Sequence, residues 1–220
     1  MNVEVKICGV CSAADASLIG KLGADYVGVI LAPGRSRSRS PAEAAAIYQA
    51  SGGVRRVGVF VNAGVAEVRR VADLLQLHVV QLHGAEPPEL AAACRADGRA
   101  VWKAVPVRAT SDVERALQAY HGVVDALLLD GAPATAAGGA GVSFDWSGIA
   151  PLRARWPASL HLIAAGGLHA GNVIAAVTAL RPEVVDVSSG VEAAIGVKSE
   201  ERLRRFIAAA RAGAADAVAR

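Results

Sequence analysis

VEVKICGVCSAADASLIGKLGADYVGVIL, residues 3–31, holds two strand-length apolar runs with one helical segment between them. VEVKIC (3–8) and DYVGVIL (25–31) are rich in the branched residues that suit a pleated surface. Residues 12–22 between them carry apolar side chains at helical spacing. Ser12 stands where its hydroxyl accepts from first-turn amides, Asp15 favours the helix dipole, and Gly23 caps the far end. A strand, one helix and another strand make a βαβ unit, whose two strands run parallel.

The unit recurs to the end of the chain. Further strand-length runs are VRRVGVFV (54–61), HVVQLH (78–83), AVWKAV (100–105), VDALLLD (124–130), LHLIAA (160–165) and VDVSS (185–189). Helical segments fall near 41–51, 64–76, 86–97, 110–121, 145–155, 169–180 and 198–212, with Ser40-Pro41 opening the second and Gly52 and Gly98 closing two others. Apolar strands separated by single helices predict a parallel sheet covered on both faces. Eight such units in 220 residues predict a single-domain (β/α)8 TIM barrel, with 208–220 as a C-terminal helical tail. A doubly wound open sheet is the structural alternative. The longest irregular stretch, 131–144 (GAPATAAGGAGVSF), follows the sixth strand.

A hydrophobic content of 53% against 20% charged excludes a disordered chain. The formal charge of +3 is mild and gathers only at Arg35, Arg37 and Arg39. It suits a small anionic ligand better than a nucleic acid. Three cysteines, Cys8, Cys11 and Cys94, are too few for a secreted disulfide framework and point to a reducing, cytoplasmic setting. No secretory leader and no membrane-length apolar run is visible, and the expected form is a monomer or homodimer.

Barrel enzymes build their sites at the C-terminal ends of the strands. There this chain places Cys8, the arginines of GRSRSRSP (34–41), Gln81 and His83, Lys103, Asp130, Gly166-Gly167 and Ser188-Ser189-Gly190. Glycines and hydroxyls after strands seven and eight are what a phosphate needs, because backbone N–H groups can then approach an anion. A short helix at 191–195 would complete that loop. The ligand expected is therefore a small phosphorylated molecule.

KICG (6–9), GADYVGVIL (23–31), SP (40–41), VGVFVN (57–62), VQLHG (80–84), KA (103–104), LLLD (127–130), FDW (144–146), AGGL (165–168), NV (172–173), VDVSSGVE (185–192) and GVKS (196–199) appear in order. Together they resemble the phosphoribosylanthranilate isomerase family of tryptophan biosynthesis, from about residue 3 to residue 207. The resemblance implies an Amadori rearrangement of N-(5-phosphoribosyl)anthranilate without cofactor or metal. It puts the general base on Cys8, the general acid on Asp130 and the anthranilate carboxylate on Arg37. Gln81, His83, Gly166, Gly167, Ser188, Ser189 and Gly190 are the further expected substrate contacts.

The chemistry asks for these residue types. Opening the furanose takes a proton on the ring oxygen, and the resulting Schiff base acidifies the C2′ proton for a base on the other side. Cys8 is then expected to be substantially thiolate, its pKa lowered by a nearby positive charge or helix N-terminus. Asp130 is expected to be partly buried, so that it holds a proton near neutral pH.

Two features depart from the family pattern. The loop after strand two has three arginines and no aromatic, which leaves Arg37 and Arg39 competing for the carboxylate. Cys11 makes a Cys8-Gly-Val-Cys11 pair, open to an oxidative bridge or half a zinc site, though no second pair or histidine cluster completes the latter. Lys103 reads as a partner for an internal carboxylate, Glu192 and Lys198 as residues that order the eighth loop. Asp145 and Trp146 read as a helix start and its packing, and Cys94 and Trp156 as helix packing. The competing functions are another phosphate-binding barrel enzyme and a non-catalytic anion-binding barrel.

Overall fold

Residues 3–131 and 145–218 are described by the computed structural model. Most of the irregular stretch after strand six, Phe144 of the FDW motif and the last two residues of the expected tail lie outside the described residues. The elements run β1 (Glu4–Ile7), α1 (Ala13–Lys21), β2 (Tyr26–Ile30), α2 (Pro41–Ala50), β3 (Arg55–Phe60), α3 (Val65–Leu75), β4 (Val79–Leu82) and α4 (Pro88–Arg95). They continue as β5 (Ala100–Val107), α5 (Thr110–Tyr120), β6 (Ala126–Gly131), α6 (Trp146–Ile149), β7 (His161–Ala164), α7 (Val173–Leu180), β8 (Val184–Val187), β9 (Glu192–Ala194), β10 (Val197–Lys198) and α8 (Glu200–Val218). Strands β1 to β8 pair in sequence order, all parallel, and β8 returns to β1 to close the barrel. The open-sheet alternative is thereby excluded.

Alternation along the strands sorts the side chains into two cores. One set, including Val5, Ile7, Val27, Val80, Leu127, Leu129 and Leu162, faces outward into the helices. The other, including Tyr26, Val57, Val79, Trp102, Ala126, Leu128, Ile163 and Val184, fills the barrel. Tyr26 and Trp102 meet edge to face at 4.9 Å within it. Continuing the inward ladder toward the C-terminal ends gives Cys8 above Lys6, Gln81 and His83 above Val79, Asp130 above Leu128, and Asp186 and Ser188 above Val184. The period that packs the core therefore carries polar groups into the mouth.

Two expected boundaries changed. The helix expected over 145–155 is only α6, followed by a 3-10 turn over Ala150–Arg155. Pro151 accounts for the break, because it lacks an N–H and its ring crowds the carbonyl four residues back. In place of the short helix at 191–195 there is a 3-10 turn, Ser189–Val191, and then the β9–β10 hairpin, turning at Gly196 with φ +77°. α8 runs unbroken to Val218, through the segment expected as a helical tail, and buries Ala210 and Ala214. Among the described residues no helix is long and apolar enough to cross a membrane.

Candidate active site

The mouth is assembled around Gly9. Its backbone has φ +65°, and a Cβ there would sit 2.7 Å from Arg37 Cδ and 2.8 Å from Ser188 Oγ. Loops after β1, β2 and β8 thus converge beside Cys8. Beside it, on the neighbouring strand β2, Gly28 leaves the space that the Cys8 and Lys6 side chains fill: a Cβ on it would lie 3.1 Å from Cys8 Sγ and 3.0 Å from Lys6 Cε.

Cys8 is 8% exposed and its N–H donates to Val187 O, so the end of β1 is tied to β8. Lys6, wholly buried beneath it, pairs with Asp186 at 2.9 Å. Burial pushes the Cys8 thiol above its ordinary pKa; the Lys6 and Lys198 ammonium groups pull it down and Asp186 adds to the rise. This corrects the expectation of a thiol lowered by nearby cations. The cations are present, but desolvation outweighs them. Lys6 itself is held above the usual lysine value: burial works against its charge, and Asp186 and Cys8 overcome that.

Arg37 and Arg39 have different surroundings. Arg37 Nε and Nη2 donate to the two carboxylate oxygens of Glu192 at 2.7 and 2.6 Å, a paired geometry that fixes the guanidinium plane. Lys198 Nζ completes the cluster, donating to Glu192 Oε1 at 3.0 Å, Cys8 O at 2.7 Å and Ser188 O at 3.1 Å. Arg39 is fastened to backbone, donating to Cys11 O and Ser38 O. Two of Arg37's five N–H donors are used by Glu192, so its other edge remains for a second carboxylate. Cys8, Cys11 and Cys94 are all free thiols.

Across the mouth, Asp130 lies at the end of β6 with its side chain about one-third exposed, and His83 Nε2 stands 3.3 Å from Asp130 Oδ2. Gln81, fully buried on the same face of β4, has its Nε2 2.9 Å from His83 Nδ1. Lys103 points the other way, into the helix layer, where it pairs with Glu86 at 3.0 Å and donates to Gly84 O at 2.7 Å. That pair braces the loop after β4, for Glu86 also accepts from the N–H groups of Asn62 and Gly84. It is the internal carboxylate expected for Lys103.

The loops after β7 and β8 lie against each other. A Cβ on Gly190 would strike Leu168 O, and Asn172 holds the first loop by accepting from His169 N–H and donating to Gly167 O. Gly166 and Gly167 both have positive φ, at +79° and +63°. Gly166 packs against the Gly131 backbone, with Asp130 Oδ1 2.8 Å from where its Cβ would be. Gly166, Gly167, Ser188, Ser189 and Gly190 therefore form one wall between Asp130 and Cys8. Lys6 and Asp186 were missed at the sequence level, although they stand on the same alternating ladder as Cys8 and Ser188.

The family model described as N-(5'phosphoribosyl)anthranilate (PRA) isomerase matches residues 5–209. The chain is 41% identical over 210 residues to the N-(5'-phosphoribosyl)anthranilate isomerase of Acidithiobacillus ferrooxidans, covering 95% of this chain and 98% of that one. It is similar to the crystal structure of phosphoribosyl anthranilate isomerase from Thermotoga maritima, with a TM-score of 0.87, 42% identity and coverage of 96% and 99%. A further similar structure, with a TM-score of 0.83, 40% identity and coverage of 96% and 99%, is a phosphoribosyl anthranilate isomerase in complex with reduced 1-(o-carboxyphenylamino)-1-deoxyribulose 5-phosphate.

Proposed function

The chain belongs to the N-(5'-phosphoribosyl)anthranilate isomerase family, and from that premise we propose how its own residues divide the isomerisation. The reaction converts N-(5'-phosphoribosyl)anthranilate to 1-(2-carboxyphenylamino)-1-deoxyribulose 5-phosphate, a step of tryptophan biosynthesis. The observation that carries the assignment is the placing of Cys8 and Asp130 on β1 and β6, on separate sides of the mouth with the glycine wall between them.

Asp130 gives its proton to the furanose oxygen as the C1′–O bond breaks and the anthranilate nitrogen's electron pair forms the C1′=N Schiff base. Cys8 then removes the C2′ proton, and the enolamine that results takes that proton back at C1′ while its 2′-hydroxyl returns a proton to Asp130, giving the ketose and restoring both groups. Burial keeps Cys8 protonated in the resting protein, whereas its task needs the thiolate. The cationic Schiff base brings positive charge into the mouth and acts in the same sense as Lys6 and Lys198. Arg37, braced by Glu192, takes the anthranilate carboxylate; Arg39 is tied to the Cys11 and Ser38 carbonyls. Gly166, Gly167, Ser188, Ser189 and Gly190 take the 5-phosphate. Gln81 and His83, expected as substrate contacts, stand on the Asp130 side. The form proposed is a monomer or a homodimer, working in the cytoplasm.

The test follows the loss of substrate fluorescence on conversion. Cys8→Ala and Asp130→Asn are each expected to lower kcat by on the order of 10²–10⁴-fold, the usual worth of a positioned acid or base. Arg37→Ala is expected to raise KM on the order of tenfold or more, as for a lost hydrogen bond to a charged group, with Arg39→Ala milder. Near-full turnover in either of the first two variants would remove that residue from the mechanism. Tight binding without Cys8-dependent conversion would favour an anion-binding barrel.

A further inference from the structure

Gln81, His83 and Asp130 form a chain of side chains along one side of the mouth, reaching from inside the barrel to the acid. Gln81 Nε2 lies 2.9 Å from His83 Nδ1, and His83 Nε2 lies 3.3 Å from Asp130 Oδ2. Residues 81 and 83 share the inward face of β4, so the buried amide sits directly below the imidazole. With the Gln81 amide N–H as the donor to Nδ1, a neutral ring would carry its single proton on Nε2. That is the nitrogen facing Asp130.

The carboxyl group of Asp130 is thus flanked on two sides. His83 Nε2 faces Oδ2 at 3.3 Å, while Oδ1 lies toward Gly166, where any Cβ would come within 2.8 Å of it. We propose that His83 is a positioning residue for Asp130, with Gln81 setting its tautomer. With Oδ2 occupied as an acceptor, the transferable proton is confined to Oδ1, on the side of the phosphate wall. When that proton passes to the furanose oxygen, Asp130 becomes a carboxylate, and the Nε2–H facing Oδ2 stabilises the charge as it develops. No other proton donor is needed, and His83 keeps its own proton throughout. The proposal rests on Asp130 being the acid.

Three measurements on the whole protein test it. Long-range ¹H–¹⁵N spectra, with His83 identified by its loss in His83→Gln, are expected to show the proton on Nε2. Gln81→Glu, whose carboxylate can only accept at Nδ1, is expected to move a proton onto Nδ1. A wild-type ring protonated on Nδ1 alone would overturn the proposal whatever Asp130 does. In kinetics, His83→Ala is expected to lower kcat on the order of 10–100-fold, as is typical when an outer-shell partner is lost, with little change in KM. His83→Gln, which returns an N–H near the Nε2 position, is expected to restore most of it. A rise in KM with kcat intact would make His83 a substrate contact instead. In an Asp130→Asn background the His83→Ala loss should vanish, since the group it positions is gone; an undiminished loss there would sink the proposal. Full kcat in Asp130→Asn alone would instead remove the acid, and the positioning role with it, while leaving the tautomer result intact.

Discussion

Cys8 sits between opposing influences, and the balance can be read from its chemistry. Desolvation favours the thiol, the Lys6 and Lys198 charges favour the thiolate, and desolvation prevails. In a background lacking Cys11 and Cys94, the pH profile of iodoacetamide alkylation at Cys8 should therefore inflect above the value of about 8.5 for free cysteine. Lys6→Met should move the inflection higher still, because it removes a cation and leaves Asp186. An inflection below that of free cysteine would contradict the burial argument. Glu192 supplies a second case. Glu192→Gln keeps the shape of the Arg37 partner but removes its charge, so the guanidinium loses its fixed plane. The expected outcome is a raised KM with kcat changed less, read in the same fluorescence assay. Sequence alternation sufficed to put Cys8, Gln81, His83, Asp130 and Ser188 on one rim. It could not separate Arg37 from Arg39, because the residue that distinguishes them, Glu192, is 155 positions away.

The elements were legible wherever their signals are local. Ser40 accepts from Glu43 N–H while Glu43 returns a bond to Ser40 N–H, a reciprocal cap at the helix start that Ser40-Pro41 marked. Pro151 broke the sixth helix for an equally local reason, yet its helical spacing had hidden the break. The β9–β10 hairpin was missed because its purpose lies elsewhere: it folds Lys198 back opposite Glu192, and so onto the Arg37 partner. Helix packing gives a sharper test at Gly20 in α1. A Cβ there would strike the Ser51 carbonyl oxygen just beyond α2, so the two helices approach through that gap. Alanine would gain about 1 kcal/mol in helix propensity over glycine. Forcing a methyl against fixed backbone typically costs about 1–3 kcal/mol. Gly20→Ala should therefore be destabilising on balance in chemical denaturation, despite being a favourable change for an isolated helix. A gain in stability would show that α1 can move away from Ser51 at little cost.

Closure of the barrel is a property of the whole chain, and nothing near residue 6 in the sequence announces it. Eight strand–helix units were readable one at a time; whether they close depends on β8 finding β1 across some 180 residues, the kind of non-local pairing that local patterns do not encode. At that seam Lys6 is in register with Asp186, and the two form a buried ion pair just below Cys8. Removing one partner leaves the other charge buried alone, which typically costs about 3–5 kcal/mol, whereas replacing both with apolar groups of similar volume is often neutral. Lys6→Met should accordingly lose stability of that order in chemical denaturation, and Lys6→Met/Asp186→Leu should recover most of it. The pH dependence has a definite sign. The Lys6 pKa is raised in the fold, so its stabilisation is complete below the unfolded lysine value of about 10.4 and is lost only as pH rises through the folded value. The difference between wild type and Lys6→Met should thus narrow on the alkaline side. Activity separates the two duties of the pair. The double variant restores the seam but not the cation beside Cys8, so it should fold well and still turn over slowly. If turnover recovered together with stability, Lys6 would serve closure alone, and Lys198 would be the cation that matters to the base.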